Sequence, residues 1–323
     1  MEVAIGLAAW AMGSFCSSLP AGAENTLIGR FCQEDKAPGL ASRLSSGAQI
    51  YFPGSNEFSL STTRWSTLDA PNVTITVEPA TENDVAETVK YANERGIPFI
   101  AVNSGHGAIT TVGGVKNGIE IWMRSLNKIK IAKDGKTATF GGGVQSKKVT
   151  ETLWAAKKQT GMCLAKYPKR KAANMLPIVT GGCECVSMLG PGLGGGHGFL
   201  QGRHGLIADQ FVSMNIVRAD GSINTIDRTS DLWWAMQGAG HNFGIVTSVT
   251  SKIYDVVHPT WAYQSFIFSG KSVEGLYGAI NDNLLKNGTQ PVDIMEYSFF
   301  FNSPDIDPEN VSAQIISVRA IDH

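Results

Sequence analysis

The chain has 323 residues, of which 43% are hydrophobic and 17% charged, so it is long enough for two domains and able to bury a core. Its formal net charge of −1 at pH 7 excludes a strongly basic surface, and we therefore expect neither nucleic acid nor an acidic membrane as partner. Only five cysteines occur, which excludes a disulfide scaffold in a chain of this length.

The first 23 residues are predicted to be a secretory signal peptide, which would make the protein secreted. Val3 to Phe15 is a short apolar stretch, and Ala21-Gly22-Ala23 is a small-x-small cleavage pattern. Glu2 and the lack of a basic side chain leave a buried N-terminal helix as the alternative. Sequons that fit secretion and glycosylation occur at Asn72, Asn287 and Asn310. No other stretch approaches the roughly 18 to 20 apolar residues that a membrane span needs, so none is predicted.

Residues 73–107 are predicted to fold as a strand, a helix, a strand and a loop. Thr81 with Asp84 three residues later is a variant capping box, and Gly96 is expected to end the helix. Ile97 to Val102 is a short apolar strand, and it leads into the glycine-bounded loop Ser104-Gly105-His106-Gly107.

The next segments are predicted as two strands and a helix. GIEIWM (118–123) and ATFGGGV (138–144) read as strands, and QSKKVTETLWAAKKQ (145–159) reads as a helix with Val149, Leu153 and Ala156 on one face. The segment 161–178 then interrupts the chain with four basic residues, no acidic residue and no clear period, as expected for a surface insertion.

The segment 181–198 contains eight glycines, two cysteines and a histidine. Such a density of glycine indicates that the backbone approaches a phosphate, a flat ring or a tight turn. Gly190, Gly192 and Gly195 fit G-x-G-x-x-G, but Pro191 lies inside the motif and no parallel βαβ series accompanies it, so a Rossmann site is not favoured.

Metal and hydrolase chemistry are not favoured either. The residues that could bind a metal lack a zinc spacing, and no G-x-S-x-G elbow is present. These residues are Cys183, Cys185, His197, His204 and His241. No metal site is predicted, and Cys183 and Cys185 are expected to point to opposite sides of an extended strand.

The last third of the chain contains further strands and two helices. Asp220-Gly221 predicts a hairpin between two strands of 209–226. A helix is expected to begin at Ser230 or Asp231, with both Trp233 and Trp234 packed, and a glycine-bearing loop at 238–244 precedes a β-branched strand. From about residue 261 a β-α-β-β pattern follows, with its helix near 273–285.

Three of these segments, in this order, make the chain resemble the FAD-linked oxidases of the vanillyl-alcohol-oxidase type, in the berberine-bridge-enzyme-like branch. Residues 77–107 are similar to the strand–helix–strand and flavin-histidine loop of that family, 181–221 to its cysteine and triple-glycine segment, and 231–254 to the block before its substrate domain. The resemblance implies an α+β fold. A two-subdomain PCMH-type FAD-binding domain would span 24–257, and an incomplete substrate domain with an antiparallel sheet would span 258–323.

The resemblance also implies where FAD is held. His106 would be bonded to the 8α-methyl carbon of the flavin, and in the bicovalent members a cysteine bonds to ring carbon six. Cys183 matches that cysteine position better than Cys185. The residues implied to contact FAD are Asn103, Ser104, Gly105, His106, Gly107, Cys183, Gly190, Gly192, Gly194, Gly195, Gly196, Gly198, Asn242, Gly244, Ile245 and Val246.

The function implied is an oxidase. Hydride would pass from a small alcohol, sugar or secondary metabolite to the flavin, and molecular oxygen would then be reduced to hydrogen peroxide. A catalytically inactive flavin-binding fragment is the main alternative, and a NAD-dependent dehydrogenase is a more distant one.

The sequence departs from the family pattern in three places. Val102 and Asn103 stand where the histidine loop of the family begins with an arginine. Residues 161–178 have no counterpart, and a retained intron is an alternative to an insertion, since the codons of Gly161-Met162-Cys163 can contain a 5′ splice signal. The family's catalytic base, often Tyr or Glu, is expected beyond His323, so no catalytic residue is predicted.

Overall fold

The computed structural model of the chain describes residues 36–160, 184–257, 261–285, 288–301 and 314–322. In these parts the chain forms two compact units. The first comprises the described residues of 1–130, 139–145 and 212–250, and the second comprises those of 131–138, 146–211 and 251–323. The predicted signal peptide, the segment 161–178 and Cys183 lie outside the described residues.

Fourteen strands and seven α-helices are present in the described residues. The strands are β1 Gln49–Tyr51, β2 Val73–Glu78, β3 Phe99–Val102, β4 Gly118–Trp122, β5 Ile129–Ile131, β6 Thr137–Gly141, β7 Lys158–Gln159, β8 Phe211–Val217, β9 Ile223–Asp227, β10 Ile245–Lys252, β11 Tyr254–Asp255, β12 Trp261–Ser269, β13 Ile294–Phe301 and β14 Gln314–Asp322. The helices are α1 Asn56–Ser61, α2 Glu82–Arg95, α3 Ser146–Ala155, α4 Leu189–Leu193, α5 Gln201–His204, α6 Trp233–Met236 and α7 Val273–Asn283.

The first unit contains a four-stranded sheet in the order β1-β2-β4-β3. β4 runs parallel to both β2 and β3, while β1 is antiparallel to β2. Helix α2 makes the crossover from β2 to β3, as two parallel strands of one sheet require. Every residue of β4 is buried, so this strand is enclosed on both faces.

Helix α2 has the ends that the sequence predicts. Thr81 and Asp84 form the capping box, and Gly96 ends the helix at φ 62°. That left-handed conformation suits glycine because a side chain would be strained there. One face of the helix is apolar, and its Val85 and Val89 pack against Ile121 of β4. Local capping and tertiary packing therefore both stabilise α2 over the same residues.

A five-stranded sheet has the order β5-β6-β10-β8-β9. β8 and β9 form the predicted antiparallel hairpin, with Ser213 opposite Asp227 and Val217 opposite Ile223. Gly221 in the connecting turn has φ 79°, which explains why Asp-Gly marks this turn.

The end of the described chain forms the predicted β-α-β-β pattern. β12, β14 and β13 make an antiparallel sheet in that order, and α7 lies between β12 and β13 in sequence. Mixed strands and helices with an antiparallel sheet confirm the α+β class. No helix in the described part is both long and apolar enough to cross a bilayer.

The structure corrects the predicted start of the tryptophan helix. The helix begins at Trp233 and has only four residues, without a side-chain cap. Ser230 Oγ instead accepts a hydrogen bond from the N–H of Asp227 at 3.2 Å, so this serine closes a turn after β9. Trp233 is buried as predicted, but Trp234 is 86% exposed, and the prediction that both indoles pack is wrong.

A smaller correction concerns the end of α3. Val149 and Leu153 are buried as predicted, but Ala156 is exposed. The helix ends at Ala155, and Lys157 has a left-handed φ of 56°. Ala156 therefore lies beyond the last helical turn, where the helical face no longer continues.

Candidate functional site

The His106 loop follows β3 in the first unit and is held by the segment 63–65. Gly105 is buried and has φ 69°, and a Cβ on it would lie 2.7 Å from the carbonyl oxygen of Thr63. Only glycine fits there. The N–H of Trp65 donates to Gly105 O at 3.2 Å, and Arg64 Nη2 donates to Gly107 O at 2.7 Å. Residues 63–65 therefore fix the shape of the loop.

The loop presents a half-buried imidazole and two backbone donors. His106 Nδ1 lies 3.1 Å from Ser104 Oγ, which limits how the ring can turn. The N–H groups of Gly105 and Gly107 have no acceptor among the described residues. Backbone N–H groups in a left-handed turn are suited to binding anions. The loop therefore combines a candidate attachment residue with donors for a phosphate.

Asn103 connects this loop to a second glycine loop at 141–144. Its Nδ2 donates to Gly142 O at 3.0 Å and to Val144 O at 3.2 Å. Gly142 N–H in turn donates to Thr247 O at 2.7 Å. The side-chain nitrogen of Asn103 is thus occupied by protein contacts, and these contacts hold three segments of the first unit together.

The glycine loop 141–144 was interpreted from the sequence only as the end of a strand. A Cβ at Gly142 would lie 2.4 Å from Val246 O, and one at Gly143 would lie 1.9 Å from Met123 O. The three consecutive glycines are therefore required by close backbone packing. Their run in the sequence was the available signal, but the residues they approach are far away along the chain.

The predicted contacts at 242–246 lie in the same unit. Gly244 has φ 156°, and a Cβ there would lie 2.9 Å from Val217 O at the end of β8. Val246 is buried and Ile245 half-buried, while Asn242 is exposed with its Nδ2 3.2 Å from Ala239 O. The structure thus brings 103–107, 141–144 and 242–247 together, as one framework around the His106 loop.

The glycine segment 190–198 belongs to the second unit, and packing within that unit accounts for part of it. A Cβ at Gly192 would lie 2.6 Å from the Phe211 ring, and one at Gly196 would lie 2.8 Å from Ile207 Cδ1. Gly195 and Gly196 also have φ of 98° and 75°. These three positions need glycine whether or not a ligand binds.

Other glycines of this segment have no such internal reason. The nearest atoms to a Cβ at Gly190 or Gly194 are 3.5 Å away, which is an ordinary contact. The N–H groups of Gly196 and Gly198 have no acceptor among the described residues. Close approach of a ligand remains the predicted reason for glycine at 190 and 194.

Cys183 itself lies outside the described residues, but the chain immediately after it is fixed. The carbonyl oxygen of Glu184 accepts from Lys147 N–H at 3.0 Å, and that of Val186 accepts from Ser146 N–H at 2.9 Å. Cys185 is exposed. The start of α3 therefore holds the residues that follow Cys183. Within the described ranges, no cluster of three or more His, Cys, Asp or Glu residues could hold a metal.

Glu120 is an ionisable residue near the loop that the sequence analysis missed. It is fully buried in the middle of β4, and neither carboxyl oxygen has a hydrogen-bond partner among the described residues. Burial raises its pKa from 4.5 to about 8, while the positive charge of Arg64 acts in the opposite direction. The signal available in the sequence was one acidic residue within the apolar strand GIEIW.

Comparison with known proteins identifies the family to which the chain is similar. Residues 73–169 match the family described as FAD binding domain. The chain is 50% identical over 319 residues to the FAD-linked oxidoreductase chyH of Penicillium rubens, a match that covers 99% of this chain and 59% of that protein. The chain thus spans less than two thirds of that curated relative.

Solved structures of low sequence identity share the fold. BBE-like 1 of Physcomitrella patens has a TM-score of 0.67 at 22% identity, over 86% of this chain and 55% of that one. The glucooligosaccharide oxidase of Acremonium strictum, described with a 6-S-cysteinyl, 8α-N1-histidyl FAD, has a TM-score of 0.65 at 20% identity, over 86% and 53%. The chain therefore belongs to the FAD-linked oxidoreductases and has the PCMH-type FAD-binding fold.

Proposed function

We propose that this chain is the flavin-binding part of an oxidase and carries FAD covalently at His106. The observation that carries the proposal is the loop 103–107, where a half-buried imidazole lies between two backbone N–H groups without an acceptor among the described residues. Pyrophosphate oxygens are the acceptors that such N–H groups favour. The residues present in the loop therefore fit FAD.

Each part of the loop has a separate task in this proposal. The N–H groups of Gly105 and Gly107 bind the phosphates, and Ser104 orients the imidazole of His106 through its hydroxyl. Asn103 keeps the loop in place through its bonds to Gly142 and Val144. Because Arg64 and Trp65 hold the loop through hydrogen bonds to Gly107 O and Gly105 O, the donors are preorganised before a ligand arrives.

The proposed reaction is a two-electron oxidation of a small alcohol, sugar or secondary metabolite. When bound, FAD supplies the acceptor for a hydride from the substrate carbon, and the two electrons then reduce molecular oxygen, with two protons, to hydrogen peroxide. The oxidase of Acremonium strictum, which shares the fold, supports this class of reaction.

A second attachment at Cys183 and secretion are further parts of the proposal. The 6-S-cysteinyl bond described for the Acremonium strictum enzyme supports a thiol attachment. Residues 1–23 support export through their apolar stretch and cleavage pattern. Asn72, one of the three sequons, is exposed and therefore accessible to glycosylation.

The test is the flavin that stays with the chain after denaturation and desalting. We expect the unsubstituted chain, produced with added riboflavin, to remain yellow and to show the mass of one FAD adduct. His106→Ala should lose the histidyl bond, and the double variant with Cys183→Ser should lose all covalent flavin. His197→Ala, an exposed histidine outside the proposed contacts, is the control and should keep the adduct.

The outcome that would contradict the proposal is a folded, riboflavin-supplied chain with only the mass of the polypeptide, which also forms no tight adduct on reconstitution. A second candidate is a flavin-binding chain without turnover. Peroxide formation with a panel of alcohols and sugars separates the two. Reduction of NAD by the chain in the presence of substrate would instead support the alternative of a NAD-dependent dehydrogenase.

A further inference from the structure

We infer that Arg64 is a binding residue for the pyrophosphate of FAD. The inference rests on the proposed function, since it concerns the same ligand, but it assigns a residue from outside the His106 loop. Arg64 follows α1 in sequence, 42 positions before His106, and no motif of the sequence marks it.

The geometry places the guanidinium of Arg64 against the loop. Nη2 donates to the carbonyl oxygen of Gly107, the residue directly after His106, at 2.7 Å. On either side of Arg64 the backbone contacts Gly105, through Thr63 O and the N–H of Trp65. Arg64 is therefore held beside the two glycine N–H groups that lack an acceptor in the described chain.

The guanidinium retains donors for a ligand. Arginine carries five N–H donors in a planar fork that matches phosphate oxygens. The bond to Gly107 O is the one hydrogen bond that its side chain makes with described residues, and the side chain is half-buried. One edge of the fork thus fixes Arg64 to the loop, and the rest is available to an anion.

The charge of Arg64 is not neutralised at contact distance by any described carboxylate. Arg64 forms no ion pair within the described ranges. The carboxyl group that it acts on electrostatically is Glu120, and burial raises the pKa of that group to about 8, so it is neutral near pH 7. A positive charge therefore remains beside the loop, where the dianionic pyrophosphate of FAD would be attracted.

A phosphate role predicts a difference between FAD and riboflavin, because riboflavin has the same ring without phosphates. The experiment compares the affinities of both ligands for apoprotein carrying His106→Ala and Cys183→Ser, so that no covalent bond forms and equilibrium is reached. Arg64→Gln should weaken FAD about tenfold to a hundredfold, as expected for one charged hydrogen-bonded contact, and should leave riboflavin unchanged. Arg64→Lys keeps the charge and should recover part of the loss.

Arg124→Gln is the matched control, because this arginine lies in the same unit with its guanidinium over the Trp122 ring at 5.0 Å. It should not change either affinity. Equal weakening of FAD and riboflavin by Arg64→Gln would overturn the inference, since that would show a merely structural role, and so would unchanged FAD affinity. If apoprotein with Arg64 intact bound no FAD at all, the proposed function would fail as well. Binding of FAD that is insensitive to Arg64 would refute this inference alone.

Discussion

Glu120 couples the stability of the fold to pH. Burial raises its pKa to about 8, so the folded chain keeps a proton that the unfolded chain releases near pH 4.5. The stabilisation is fully present below about pH 4.5 and is lost as pH rises through about 8, because ionisation then has to occur inside the sheet. One carboxyl group in β4 thereby lowers the stability of the folded chain under alkaline conditions.

We predict that Glu120→Gln removes this dependence. The amide is neutral at all pH values. Above pH 8 the free energy of unfolding of the variant should therefore exceed that of the unsubstituted chain by about a few kcal/mol, as expected for a pKa shift of this size. Near pH 4.5 the two should be similar. Urea unfolding across this range measures the difference. Glu94→Gln is the control, because Glu94 is an exposed carboxylate that pairs with Arg43. Parallel pH profiles of the two chains would contradict the prediction.

Ser104 offers a second test at the level of one side chain. Its Oγ lies 3.1 Å from His106 Nδ1, so Ser104→Ala should leave the imidazole less well oriented. We expect slower covalent attachment of FAD, with non-covalent affinity little changed. The measurement is the fraction of flavin that stays with denatured chain as a function of incubation time. Ser104→Thr keeps a hydroxyl and serves as control; equal rates for Ala and Thr would argue against an orienting role.

At the scale of elements, the start of α2 depends on one buried carboxylate. Asp84 accepts from the N–H groups of Ser45 at 2.6 Å, Ala80 at 3.0 Å and Thr81 at 2.8 Å, as well as from two hydroxyl groups. It therefore satisfies donors of two separate segments. The capping box extends beyond the helix to the chain before β1.

We predict that Asp84→Ala destabilises the chain by about 3 kcal/mol, because it leaves several buried donors without an acceptor. Thr81→Ala removes only the capping hydroxyl and should cost about 1 kcal/mol. Chemical denaturation of both variants measures the two values. A larger loss for Thr81→Ala than for Asp84→Ala would show that the cap, and not the wider network, stabilises this region.

The elements that the sequence predicts well are those specified by local chemistry. Helix α2 has its cap and its glycine stop within its own sequence, and the β8–β9 hairpin has its Asp-Gly turn. The start of α6 was predicted wrongly because Ser230 can close a turn as readily as cap a helix, and the structure uses it for the turn.

Site features that depend on distant residues were not predictable in this way. His106 was identifiable because its glycine-bounded loop is continuous in sequence. Arg64 and the glycines 141–143 act through contacts with residues about 15 to 105 positions away, and no local pattern encodes such contacts. Glu120 was missed because the depth of a strand follows from sheet order, which a single strand does not reveal.

At the scale of the whole molecule, each compact unit is assembled from three separate stretches of chain. The first unit contains residues 212–250 in addition to residues 36–130, so it is not formed by one continuous stretch of sequence. Its stability is therefore expected to depend on long-range contacts more than on any one stretch. A fragment that ends before residue 212 would lack β8, β9 and β10, which are three of the five strands of the five-stranded sheet.

We predict that bound FAD stabilises the whole molecule. A ligand that binds only the folded state stabilises it by about 2.7 kcal/mol at a hundredfold excess over its Kd. The double variant His106→Ala/Cys183→Ser should show a melting temperature that rises with FAD concentration, whereas that of covalently loaded chain should not depend on added FAD. Thermal unfolding at several FAD concentrations is the measurement. If the melting temperature of this double variant did not change with FAD concentration, specific binding to the native state would be contradicted.

The bonds of Asn103 to Gly142 and Val144, and of Gly142 to Thr247, have one more consequence. Opening any of these three segments to solvent breaks contacts of the other two, so their amide hydrogens should exchange with deuterium as one cooperative group. FAD bound at the histidine loop would then slow exchange at residues 141–144 and 247 as well. Protection from exchange would extend through these hydrogen bonds to residues outside the implied FAD contacts.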